Sequence, residues 1–89
     1  MIDFAKLSPE EKEIIMVVAK LDAILPETLN NYSMDDIRAK AREALTGYCR
    51  DHTRMADSGW SEKFENAGIT EDEAKSAISC ARRMGMEIE

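Results

Sequence analysis

The sequence predicts an all-α fold: a small compact bundle of three main helices plus one short helix. Three observations lead there. Apolar residues recur at spacings of three and four along most of the chain, and no segment shows the two-residue alternation of a strand. Helix-start signals stand just before each apolar stripe, twice as complete capping boxes. The two prolines and most of the four glycines fall at the ends of those stripes.

The first helix is announced by Ser8-Pro9-Glu10-Glu11. Ser8 is the expected N-cap, Pro9 suits the first helical position, and Glu11 completes the box. Ile14, Val17, Val18, Leu21, Ile24 and Leu25 form one apolar stripe, widened by Ile15 and Met16, so this helix is expected to touch neighbours on two sides. Pro26 is its expected terminator, because the residue before a proline disfavours helical geometry. Residues 26–33 read as a connection with room for one helical turn, with Asn30 and Asn31 as turn formers.

Ser33 is the expected cap of the second helix, and Asp35 and Asp36 in its first turn complement the helix dipole. Ile37, Ala41, Ala44, Leu45, Tyr48, His52 and Met55 continue the stripe to an expected end near Ala56, before Ser58-Gly59. Gly47 lies inside this helix, where glycine costs about 1 kcal/mol relative to alanine. It marks a kink or the close approach of another helix. Ser61 is the expected cap of a short third helix that closes at Gly68 in a left-handed conformation. Thr70 and Glu73 make the second capping box. Ala74, Ala77, Ile78 and Ala81 face inward on the fourth helix, Arg82 and Arg83 stand at its C-terminal end, and Gly85 stops it. Met86 and Ile88 of the tail are expected to fold back.

The chain of 89 residues suits a single domain, 1–89, that buries roughly 60–65% of its unfolded surface. That leaves little room for a deep cofactor pocket, and no cofactor is expected. The net charge is −6, which disfavours non-specific binding to nucleic acid or anionic membrane and admits basic partners. No run approaches 18 apolar residues, so no membrane-spanning helix is expected. The opening MIDFAKLSPEEKE carries acids where a secretory signal needs cations, so a cytoplasmic location is expected. Cys49 and Cys80 make no disulfide framework and read as reduced, packed residues.

Residues 61–84 resemble a helix-turn-helix unit, with Gly68 in the turn and Ile69, Ala74 and Ala77 at the crossing. The charges do not suit DNA. Glu71, Asp72 and Glu73 occupy the places where Arg, Lys, Asn or Gln would reach bases and phosphates, leaving Lys75 and Ser76. A structural corner is the expectation. The second helix holds the one basic region, residues 38–54: Arg38, Lys40, Arg42, Arg50 and Arg54 against Glu43 and Asp51, a net +3 that leaves −9 on the rest of the chain. A solvated face paired with acids elsewhere is expected, with a contact surface for an acidic partner or RNA as the alternative.

Cys49, His52 and Cys80 fall short of the four ligands of structural zinc. Cys49 and His52 lie three apart without an oxyanion site or an orienting motif, and the four glycines stand singly, so no phosphate-cradling loop exists. No catalytic activity is expected. Trp60 is either a core anchor or an aromatic contact for a partner. The functional expectation is a small acidic protein-binding or inhibitory protein. It would meet a basic surface, such as that of a nucleic-acid-binding machine, through Trp60, Glu62, Glu65, Glu71, Asp72 and Glu73, as small phage inhibitors do. The alternatives are a DNA-binding or transcription-associated regulator and a structural or oligomerisation domain.

Overall fold

The computed structural model describes residues 4–53 and 59–88. It is all-helical: α1 (Pro9–Asp22), α2 (Met34–Thr53), α3 (Trp60–Asn66) and α4 (Glu71–Arg83). Short 3-10 turns at Phe4–Lys6 and Pro26–Asn31 complete it. Helix α4 packs chiefly along α1 and also on α2, while α3 packs on α2.

Local sequence chemistry sets most of the boundaries. At α1 the Ser8 hydroxyl accepts from the Glu11 amide at 3.2 Å, and Glu11 Oε1 accepts from the Ser8 amide at 3.0 Å. At α4 Thr70 and Glu73 repeat this reciprocal pair at 3.1 and 3.2 Å. The Ser33 hydroxyl accepts from the Asp36 amide at 3.1 Å at the start of α2. Gly68 (φ +77°) and Gly85 (φ +85°) supply the left-handed stops after α3 and α4. In both, the two amides that follow the cap turn back to the last carbonyls: Gly68 to Glu65 and Ile69 to Phe64, Gly85 to Arg82 and Met86 to Ala81, each at 3.0 Å.

Two expected boundaries are corrected. Helix α1 ends at Asp22, before the Ile24 and Leu25 assigned to its stripe. Ala23 turns left-handed (φ 52°), and the Ile24 amide donates to the Ala19 carbonyl at 2.9 Å. Ile24 is therefore only half-buried, and Leu25 is 58% exposed. Alanine carries no stop signal, so the proline three residues on took the role in the sequence reading. At α3 the cap is Gly59 (φ +80°) and not Ser61, which lies inside the first turn. The Ser61 amide instead donates to Asp51 Oδ2 of α2 at 3.0 Å. An acid ten residues away thus satisfies the helix start that no local side chain caps. The expected end of α2 near Ala56 lies outside the described residues, as do Met55, Arg54 and the side chain of His52.

The core joins all four helices. Ile14 and Val18 of α1, Ile37 and Leu45 of α2 and Phe64 of α3 are each 0–1% exposed. Each contributes about 1.5–3 kcal/mol by leaving water. Ala74, Ala77 and Ala81 of α4 are fully buried, and their small side chains let α4 approach its neighbours closely. The tail folds back as expected: Ile88 is 7% exposed, and Arg82 Nη2 donates to its carbonyl at 3.2 Å.

Candidate functional site

Helix α3 ends and α4 begins within the connection 67–70, so Glu65 at the end of one helix and Glu71 and Asp72 at the start of the other share a corner. Glu62 lies one turn before Glu65. These acids have different duties. Glu73 serves its own helix through the capping box, and its Oε2 accepts from Lys20 Nζ of α1 at 3.0 Å. Lys20 and then the Thr70 hydrogen bonds hold the Glu73 carboxyl below the usual carboxylate range. Glu71 pairs with Lys75 one turn on, at 2.9 Å. Glu62, Glu65 and Asp72 are exposed and make no ion pair among the described residues.

Trp60 sits between the two roles the sequence allowed. It is half-buried, its pyrrole edge lies directly over Gly47 of α2, and it meets Phe64 edge-on with ring centroids 6.5 Å apart. Phe64 in turn meets Tyr48 in a tilted pair with ring centroids 4.6 Å apart. Lys63 Nζ lies over the indole, 4.3 Å from the ring centroid. Gly47 is therefore a place of close helix approach, one of the two readings its position suggested.

The basic residues of α2 divide in a way that sequence could not foretell. Arg38 reaches Glu11 of α1 at 3.7 Å and Lys40 reaches Asp22 of α1 at 3.0 Å. Arg42 meets Glu87 of the tail at 3.8 Å. Arg83 of α4 approaches Glu10 of α1 at 3.9 Å. Such exposed pairs are worth about 0–1 kcal/mol each, so they orient the helices more than they stabilise them. Arg50 is exposed with no ion pair among the described residues, and Arg54 lies outside them. A groove of about 720 Å³ runs along this face, bordered by Arg42, Thr46, Gly47, Arg50, Trp60 and Glu87. The sequence reading named Arg42, Arg50 and Trp60 but assigned them to different surfaces. Only the seat of the indole on Gly47 brings them to one place.

Residues 61–84 fold as a packed corner between α3 and α4. The inward face of α4, through Ala74, Ala77, Ile78 and Ala81, is buried, and its outward start is acidic with Lys75 held by Glu71. Cys49 and Cys80 are buried thiols not joined in a disulfide, and burial is the main cause that pushes both up. Among the described residues no group of three His, Cys, Asp or Glu is placed to hold a metal, and no helix is long and apolar enough to cross a membrane. Comparison with protein-family models, curated proteins and solved structures gives no match for this chain.

Proposed function

We propose that this protein is a small non-catalytic binding protein that docks the acidic α3–α4 corner on a basic surface of a larger protein. The observation that carries this reading is the division of charge at the corner. Glu71 and Glu73 answer to Lys75 and Lys20, while Glu62, Glu65 and Asp72 face solvent without an ion pair among the described residues. Every internal ion pair removes one charge of each sign, so the excess of −6 stays on the surface to steer association with a basic partner. Where the partner's basic surface is a nucleic-acid site, docking occludes it and inhibits by competition. Burial pushes both cysteine thiols up, which disfavours the nucleophilic thiolate at Cys49 and Cys80. A cytoplasmic setting belongs to the same proposal, since buried cysteines left as thiols suit a reducing compartment.

The test is the triple variant Glu62→Lys, Glu65→Lys, Asp72→Lys, checked for helicity by circular dichroism and used beside the wild type in affinity capture from the native host. Partners captured by the wild type should be lost with the variant and should dissociate as salt is raised. Equal recovery by a folded variant overturns the proposal. Sequence-specific DNA binding at low salt that Lys75→Ala abolishes would replace it with a regulator reading.

A further inference from the structure

The groove on α2 lies apart from the acidic corner and carries a different chemistry. The geometry points to it as a docking site for an acidic peptide segment of a partner protein, with Arg42 and Arg50 taking two carboxylates and Trp60 covering the residues between them. This inference does not rest on the proposed role of the corner.

Three observations support it. First, Arg42 and Arg50 border the same groove and stand eight residues apart on one exposed helix face. That is about 12 Å of helix rise, the reach of about four residues of extended chain. Second, Gly47 and Trp60 build the ground between them. Because residue 47 has no side chain, the indole lies on the helix backbone and presents an apolar surface beside the two guanidinium groups. Third, Arg42 already receives a carboxylate there. Glu87 of the tail approaches it at 3.8 Å, but the Glu87 side chain is 88% exposed, so the contact is loose and open to exchange. A partner carboxylate that pairs in bidentate fashion would displace it.

The other cations of the helix are engaged elsewhere, Arg38 and Lys40 with acids of α1. Glu43 also borders the groove. It selects for where the occupant's charges lie rather than for how many there are. A peptide with two spaced acids can avoid Glu43, whereas a nucleic-acid strand would bring a phosphate at every step against Glu43 and Glu87.

The probe is a blocked synthetic peptide, Glu-Ser-Leu-Ser-Glu, titrated into the full chain. Amide chemical shifts and the emission of the single tryptophan are the readouts. Shifts should gather at Arg42, Thr46, Gly47, Arg50 and Trp60, with affinity in the range of about 0.1–1 mM expected of a short peptide. Arg42→Gln and Arg50→Gln, both at exposed positions that leave the core intact, should each weaken binding about tenfold, as should glutamine in place of the peptide's two acids. Glu87→Gln should tighten it about twofold by removing the internal competitor. The inference is overturned if the groove amides stay still at about 5 mM peptide. It is equally overturned if the arginine variants bind unchanged, or if octauridylate occupies the groove as tightly as the peptide.

Discussion

Gly47→Ala tests the packing of this domain most sharply, because local propensity and tertiary contact predict opposite signs. Residue 47 lies in the interior of α2, where alanine in place of glycine should stabilise by about 1 kcal/mol. In the folded protein, however, a Cβ at this position would sit 2.5 Å from Trp60 Cγ and nearer still to Cδ1 and Nε1. Real Cβ atoms do not approach other atoms so closely, so the indole must leave its seat or α2 and α3 must part. Overpacking of this kind costs about 1–3 kcal/mol. Against the propensity gain, the net expectation is a loss of up to about 2 kcal/mol, or a fall in Tm of up to roughly 15 °C for a domain of this size. Urea unfolding followed by circular dichroism gives the free energy, and tryptophan emission reports whether the indole has moved into water. The same substitution in a Trp60→Ala background should reverse sign and stabilise by about 1 kcal/mol, since the obstruction is gone. A Gly47→Ala protein that is more stable than the wild type, with unchanged emission, would refute the reasoning.

Three further outcomes follow from the same geometry. Ala23→Gly should stabilise by about 0.5–1 kcal/mol in chemical denaturation, because the left-handed φ of 52° strains alanine and suits glycine. Asp51→Ala should cost about 1 kcal/mol by removing the acceptor of the Ser61 amide, with faster hydrogen exchange at the start of α3. Glu73 has a folded-state pKa below its ordinary value of 4.5, so its contribution is present above that value and is lost as pH falls through the folded pKa. Lys20→Met should raise the Glu73 titration seen by carboxyl NMR, and its stability deficit at neutral pH should vanish in acid.

Most helix starts were legible in the sequence because capping is local. Ser8 with Glu11, and Thr70 with Glu73, need only residues three apart, and the chain brings those together wherever a helix begins. Glycine stops at Gly68 and Gly85 were legible for the same reason, since the left-handed conformation is a property of one residue. The inward faces of α2 and α4 followed from periodicity. Where a boundary depended on a distant group, local signals misled: α1 stops at an alanine, and α3 is capped from Asp51 rather than by Ser61.

The candidate site was legible as a set of residues but not as a division of labour. From the sequence, Glu62, Glu65, Glu71, Asp72 and Glu73 are equivalent acids, and Arg38 to Arg50 are equivalent cations. Which of them engage internal partners depends on which helices lie side by side. Lys20 stands 53 positions from Glu73 and meets it only because α1 packs along α4. The sequence by itself determined the helical class, the caps and the net charge, all properties of composition and of neighbours within one turn. The tertiary structure decided which charges remain on the surface and that Trp60 lies on Gly47 beside Arg42 and Arg50. Those outcomes arise from contacts between segments far apart in the chain, and no local rule encodes such contacts.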